Sequence, residues 1–298
     1  MMSVKIGTRG SKLALAQTNN VLGLLSKNDV AAESEIITTV GDAVLDRGLH
    51  QIGGQGVFVR ELDNAILRGE IDAAVHSMKD IPAERPDGLI TAAILPRDPP
   101  WDFFVFNRPV DEIYSVGTSS TRRRAQLLRY YQCMPQVRVE PLRGNVDTRL
   151  SKLNDGLYDA IVLAEAGLVR LGYHVNGVRL PLDMFVPSPN QGTVAVVCRD
   201  TPELLEAFAP LNDYRTTLDT GIERAVMEQV GGGCFTPQGI FCQNGHLIAE
   251  VLSLDGTRGE RITGTVGSIE EAREIGVQFK EIASDLIEEA RAALGLKV

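Results

Sequence analysis

Val4-Lys5-Ile6-Gly7-Thr8, running into a helix that begins near Ser11, decides the fold because the chain repeats it. Tyr114-Ser115-Val116-Gly117-Thr118 runs in the same way into a helix beginning near Ser119 or Ser120. Each is a short apolar strand, a Gly-Thr turn and a serine placed to cap the first N–H groups of a helix. A second matching pair follows. Gly69-Glu70-Ile71-Asp72-Ala73-Ala74-Val75 parallels Gly156-Leu157-Tyr158-Asp159-Ala160-Ile161-Val162. Both read as a helix-ending glycine, a turn and a buried strand. Beyond those strands the pattern predicts further helices, from Ser77-Met78-Lys79-Asp80 in one half and Glu165-Ala166-Gly167-Leu168 in the other. Matching βαβ punctuation predicts two similar α/β domains. Ligands of such folds bind at the carboxyl ends of strands, beside helix N-termini whose N–H groups and dipole favour anions. Two such turns facing one another would form a cleft lined for carboxylates.

Outward from the repeat, Leu95-Pro96-Arg97-Asp98-Pro99-Pro100 reads as a hinge that closes the first half. Phe185-Val186-Pro187-Ser188-Pro189-Asn190-Gln191-Gly192 is a second break, and the strand after it, Thr193 to Arg199, is placed to return to the first domain. These breaks divide the chain into α/β domain 1 (1–95 and 190–212), α/β domain 2 (96–189) and a third domain (213–298). The third opens with a helix from Thr217 to Gln229, followed by strand-like runs at 238–243, 246–254 and 260–266. Asn244-Gly245 is a hairpin signal between the first two runs, and Asp255-Gly256 turns the next pair. Ser268 caps a final helix reaching Leu294, with Ile275, Phe279, Ile282, Leu286 and Ile287 on one face. The expectation is a smaller C-terminal α+β domain with a three-stranded sheet.

Length and composition fit this plan. The 298 residues suffice for two or three cores, and 44% apolar content suits a globular protein. No run approaches a membrane span and no signal-peptide core is present, so the expected location is cytoplasmic. A net charge of −9 argues against nucleic acid as a partner. Yet Arg outnumbers Lys 23 to 7, and seven arginines between Arg122 and Arg149 face only Glu140 and Asp147 in that stretch. A local arginine concentration in an acidic chain suits a small polyanion, because the planar guanidinium holds a carboxylate through two parallel hydrogen bonds.

Four cysteines, Cys133, Cys198, Cys234 and Cys242, form no Cys-x-x-Cys pair, and the four histidines are scattered, so no metal site is expected. Cys198 and Cys242 lie in apolar strand-like runs and read as buried hydrophobes, and Cys133 near a helix end reads as structural. Cys234 differs. It ends Gly231-Gly232-Gly233-Cys234, where three glycines leave the sulfur open to approach as a nucleophile or an attachment point.

Several further motifs, in order, resemble those of the porphobilinogen deaminase (hydroxymethylbilane synthase) family. They are Thr8-Arg9-Gly10-Ser11-Lys12-Leu13-Ala14, the loop Gly53-Gly54-Gln55-Gly56-Val57-Phe58-Val59-Arg60-Glu61-Leu62, and Val75-His76-Ser77-Met78-Lys79-Asp80. Gly117-Thr118-Ser119-Ser120-Thr121-Arg122-Arg123, Leu142-Arg143-Gly144-Asn145-Val146-Asp147-Thr148-Arg149-Leu150, and Glu223-Arg224-Ala225 with Gly232-Gly233-Cys234 complete the set. The chain departs from the family pattern at Gln55, where a lysine is usual, and at Pro189-Asn190-Gln191-Gly192, which replaces a longer Pro-Ala-x-Gly-Gln-Gly segment.

The resemblance implies a fold of two similar periplasmic-binding-protein-like α/β domains with a cleft, plus the small C-terminal domain. It implies a transferase of porphyrin biosynthesis that joins four porphobilinogens head to tail into hydroxymethylbilane, releasing ammonia at each step. One dipyrromethane cofactor per chain, bound to Cys234 through a thioether, would prime the product, making the thiol a tether rather than a nucleophile. Asp80 would be the catalytic group: a carboxylate near the pyrrole nitrogens stabilises the cationic methylene-pyrrole left when ammonia departs and handles the protons. Lys79, Ser120, Arg122, Arg123 and Arg224, with Asp80, would hold the cofactor. Arg9, Ser11, Arg143, Arg149 and Arg170 would hold substrate carboxylates, with Phe58 stacking nearby, and Thr118 and Ser119 would add hydrogen bonds. The implied protein is a monomer. Two other readings compete: a non-catalytic two-lobed binder of small anions, which leaves Cys234 and the third domain unexplained, and a cysteine hydrolase, for which no histidine is placed to activate the thiol.

Overall fold

The protein is described here as a computed structural model covering residues 3–37, 57–82, 85–231 and 235–293. Two compact units emerge, one from residues 1–98, 169–172 and 192–217, the other from 99–168, 173–191 and 218–298.

The first unit is built on a five-stranded sheet of β1 (Ser3–Thr8), β2 (Ala31–Ile36), β3 (Ala73–Ser77), β4 (Leu89–Ile94) and β10 (Val194–Arg199), ordered β2-β1-β3-β10-β4. Strand β1 is parallel to β2 and β3, whereas β10 enters antiparallel to both β3 and β4. Helix α1 (Lys12–Lys27) buries Val21 and Leu25 against Val4, Ile6, Val75 and Val196 on one face. Helix α2 (Val57–Leu67) lays Leu62, Ala65 and Ile66 over Ala74, Ala195 and Val197 on the other. A sheet covered on both faces explains the unbroken apolar run at 194–198. Each such Val or Leu taken out of water contributes roughly 1.5–3 kcal/mol before entropy is counted. Helix α6 (Pro202–Phe208) adds Leu204 and Phe208 to the α1 side.

The second unit repeats this plan. Its sheet of β5 (Asp102–Phe106), β6 (Ser115–Gly117), β7 (Arg138–Glu140), β8 (Ala160–Ala164) and β9 (Gly177–Arg179) is ordered β7-β6-β8-β5-β9, again with one antiparallel strand, β5, second from an edge. Helix α3 (Thr121–Tyr130) covers one face through Leu127, and α4 (Val146–Asn154) and α5 (Glu165–Arg170) cover the other through Leu150, Leu153 and Leu168. The sequence repeat is therefore a true topological repeat. One detail differs from expectation: the repeated glycines lie inside strands, not in turns. A Cβ on Gly117 would stand 2.9 Å from Tyr158 and 3.1 Å from Leu142 and Ile161, so the residue is required by packing.

The same unit includes the C-terminal α+β part. Strands β11 (Gln238–Gln243), β12 (His246–Leu252) and β13 (Gly259–Thr265) form an antiparallel meander packed by α7 (Tyr214–Val230), α8 (Ile269–Ile282) and α9 (Ser284–Ala293). Asn244 (φ 53°) and Gly245 (φ 76°) are both left-handed, as the Asn-Gly hairpin predicts. The single final helix expected from Ser268 to Leu294 is instead two, divided at Ala283. The helix expected at 77–80 is one 3₁₀ turn, Met78–Asp80, ended by Ile81 ahead of Pro82, before which a helix is disfavoured. Cys198 and Cys242 are buried as expected, and burial pushes their thiols up to about 11 and about 12. Cys133, expected to be structural, is exposed in the turn beyond α3. Among the described residues no helix is long and apolar enough to cross a membrane.

Candidate active site

In the first unit, β1 and β3 are parallel neighbours, so the residues that follow them emerge at one end of the sheet. After β1 come half-buried Arg9 and then Ser11, whose hydroxyl accepts the Ala14 N–H at 3.3 Å and caps α1. After β3, Ser77 accepts from Gln17 Nε2 at 2.8 Å, and the 3₁₀ turn buries Met78 while leaving Lys79 and Asp80 exposed. Asp80 makes no hydrogen bond or ion pair among the described residues, so it does not cap its own turn. An exposed carboxylate at the carboxyl end of a sheet, with no partner among the described residues, is available to a ligand. Beneath it, His76 is buried on β3, and burial, with Arg85 and Arg9 adding to it, pushes its imidazole down to about 3. Among the described residues its Nε2 has no hydrogen-bond partner. Asp63 on α2 pairs with Arg85 at 2.5 Å, both largely buried.

In the second unit, Ser120 caps α3 by accepting the Arg123 N–H at 3.4 Å, settling the choice between Ser119 and Ser120. Asn145 caps α4 through the Thr148 N–H at 2.9 Å. Arg122 and Arg123, expected as open carboxylate clamps, are turned inward. Arg122 donates to Asp102 at 2.7 Å, to Gln126 and to the Val186 carbonyl. Arg123 donates to Asp102 at 2.7 and 3.0 Å, to the Val162 carbonyl and to Gln191. Asp102 is fully buried on β5. Burial alone would raise its pKa, but the two guanidinium charges outweigh that and hold it well below the usual carboxylate range. Asp102 belongs to none of the sequence motifs. An acid inside the apolar strand at 102–106 was the available signal.

Arg149 behaves differently. It sits in the first turn of α4, half-buried, with Nε on the Gly144 carbonyl at 2.8 Å and no carboxylate partner among the described residues. Burial, then the charge of Arg123, lowers its pKa to about 10. A cation in that state gains from an incoming anion. Arg143, in the loop ahead of α4, is exposed and also without a carboxylate partner among the described residues. Both are placed to meet an anion, and the capped start of α4 adds a favourable dipole. Arg170, expected as a further clamp, directs Nε to Asp98 at 2.7 Å and Nη2 to the Gly192 carbonyl at 2.6 Å. Arg224 on α7 is mostly buried, with Glu228 at 3.8 Å. Cys234, Gln55 and the Phe58 side chain lie outside the described residues.

Each unit, taken by itself, thus presents polar loops at the carboxyl ends of parallel strands, one with an open carboxylate and one with open guanidinium groups. That defines an α/β protein with charged loops at the carboxyl ends of its parallel strands. Two family models match the chain: "Porphobilinogen deaminase, dipyromethane cofactor binding domain" over residues 4–207 and "Porphobilinogen deaminase, C-terminal domain" over 217–286. A probable porphobilinogen deaminase of Methanosarcina acetivorans is 49% identical over 96% of this chain and 94% of its own length. The porphobilinogen deaminase of Albidiferax ferrireducens is 39% identical over 96% and 93%. Among solved structures, an ABC-transporter periplasmic substrate-binding protein of Coxiella burnetii is 11% identical, with a TM-score of 0.42 over 72% of this chain and 94% of its own. The chain belongs to the porphobilinogen deaminase family. It is accordingly a transferase of tetrapyrrole biosynthesis that polymerises porphobilinogen into hydroxymethylbilane, with a dipyrromethane-cofactor-binding domain.

Proposed function

We propose that the open charges carry the reaction and the saturated ones carry the frame. Asp80 is the catalytic group. Its exposed carboxylate stabilises positive charge as ammonia leaves the substrate and takes up or returns the protons of condensation. Lys79 beside it, and Arg9 and Ser11 at the end of β1, bind carboxylate groups on the same side of the sheet.

In the second unit Arg149 and Arg143 hold acetate and propionate oxygens. The observation that carries this assignment is Arg149, a half-buried cation with its pKa lowered to about 10 and no carboxylate partner among the described residues. A guanidinium already stripped of much of its water forms a stronger charge-assisted bond than one on an open surface. Arg122 and Arg123 serve this site through Asp102: they fix the start of α3, with Ser120 capping it, and Arg123 keeps a positive field at Arg149. Arg170, which with residues 169–172 belongs to the first unit, acts in the same indirect way there by holding Asp98 and Gly192, and Arg224 stiffens α7 in the second.

Cys234 is the attachment point of the dipyrromethane, which when bound supplies the pyrrole carbon to which units are added. The enzyme works as a cytoplasmic monomer. Intact mass of the purified chain tests the assignment. It should exceed the sequence mass by two pyrrole units in wild type and match the sequence mass in Cys234→Ser. A wild-type chain at its sequence mass that is nonetheless active would overturn the tether.

A further inference from the structure

The second unit contains a polar cluster around Glu250 to which the reaction as described assigns no role. Glu250 on β12 is buried to 2% side-chain exposure, in a sheet whose first strand follows Cys234 by four positions in sequence. Two arginines from separate elements converge on it. Arg129 at the end of α3 gives Nη1 at 2.8 Å and Nη2 at 3.1 Å, and Arg261 on β13 gives Nε at 3.0 Å. Both also seize the chain that leads out of the arginine-bearing sheet: Arg129 donates to the Met184 carbonyl at 2.7 Å and Arg261 to that of Asp183 at 2.5 Å. Gln126, one turn before Arg129, donates to Glu250 at 3.4 Å and to the Val186 carbonyl at 3.0 Å, and accepts from Arg122. Arg122 leads to Asp102 and thence to Arg123, whose charge acts on Arg149.

Backbone contacts follow the same seam. Gly256, at φ +73°, lies so close to α3 that a Cβ would stand 2.3 Å from the Ala125 carbonyl oxygen and 2.8 Å from the Arg129 nitrogen. Gly239 on β11 approaches the Val186 carbonyl just as closely, where a Cβ would stand at 2.5 Å. Side chains there would force the surfaces apart. Without the Glu250 carboxylate, Arg129 and Arg261 would face each other as like charges, so the seam would open rather than relax.

We propose that Glu250 is a positioning residue for polymerisation: it clamps the C-terminal sheet to α3, so that the primer end and the carboxylate-binding arginines of the second unit keep one geometry while units are added. This rests on Cys234 as the attachment point. Substrate carboxylates would still find Arg143 and Arg149 when the clamp is lost, but the attacking end would be misplaced. The signature is a fall in kcat at nearly constant KM.

The test uses the full-length holoenzyme with Glu250→Gln, Arg261→Gln and, as a control, Glu260→Gln at an exposed position of β13. Intact mass should show the same cofactor content in all. Glu250→Gln should lose about tenfold in kcat with KM within about twofold, Arg261→Gln should move less in the same direction, and Glu260→Gln should match wild type. Should Glu250→Gln fail to fold, Arg261→Gln, whose side chain is partly exposed, decides alone. A lowered melting temperature with kcat unchanged in the folded variants would reduce Glu250 to a stability element and overturn the proposal. A wild-type chain with no adduct would overturn the tether, and the clamp with it, through the mass alone.

Discussion

The two five-stranded sheets share one strand order and treat charge in opposite ways. In the first, the carboxyl end bears Lys79 and Asp80 in the open, and the groups beneath are muted: His76 is neutral and Asp63 is matched by Arg85. In the second, two arginines and an aspartate are buried together under the start of α3, while Arg149 remains half-open beside them. One scaffold can therefore present an acid above a neutral histidine and a matched ion pair, or a cation beside two arginines that share one buried aspartate. The difference lies in which side chains occupy matched positions after matched strands.

Four experiments would break or sharpen that contrast. The largest effect belongs to the open acid. Asp80→Asn should fold and carry cofactor yet lose about 10²–10⁴-fold in kcat, measured by product formation. Near-wild-type turnover would remove the acid from the first unit's role. Next comes the buried acid of the second unit. Asp102→Asn strands two cations without a counter-charge and should cost roughly 3–5 kcal/mol in urea unfolding. A loss below about 1 kcal/mol would mean that the arginines find other partners.

Third, Arg149→Leu should raise the porphobilinogen KM by about 10–100-fold, as loss of a charge-assisted bond implies, while leaving stability unchanged or higher because a desolvated charge has gone. Unchanged KM with lower stability would make Arg149 part of the frame. The smallest effect concerns the neutral histidine. His76 is held at about 3 in the folded chain against 6.5 in an unfolded one. Between those values the unfolded state binds the extra proton, so stability falls on acidification and is fully present only above pH 6.5. The slope is about 1.4 kcal/mol per pH unit at most, and unfolding of His76→Gln at pH 5 and pH 7 should show it removed.

Much of this was legible in local sequence. Serine caps, helix-ending Gly69 and Gly156, and the Asn244-Gly245 hairpin are decided by a few neighbouring residues, and each stands where the pattern put it. The return of the strand after residue 193 to the first sheet was also readable, because an apolar run bounded by proline-rich breaks suits a strand covered on both faces. What escaped depends on partners distant in the chain. Arg122 and Arg123 looked like clamps because Asp102 lies 20 residues away on a strand whose place is set by pairing with β8. Arg170 meets Asp98 across 72 positions. The break at Ala283 carries no proline or glycine to announce it. A motif of arginines thus fixes residue type but not which way each guanidinium turns; that is settled by where the nearest buried acid falls.

Strand β10 has a consequence for how the chain is made. It fills the gap between β3 and β4 but lies about a hundred residues beyond β4 in sequence. During synthesis from the N-terminus, β3 and β4 therefore leave the ribosome with their facing edges bare. The second sheet, whose strands all fall within residues 102–179, has every member available earlier. The order of birth and the order of completion are thus reversed: the acid-bearing sheet starts first and is finished last, so exposed edges in nascent chains should concentrate on β3 and β4.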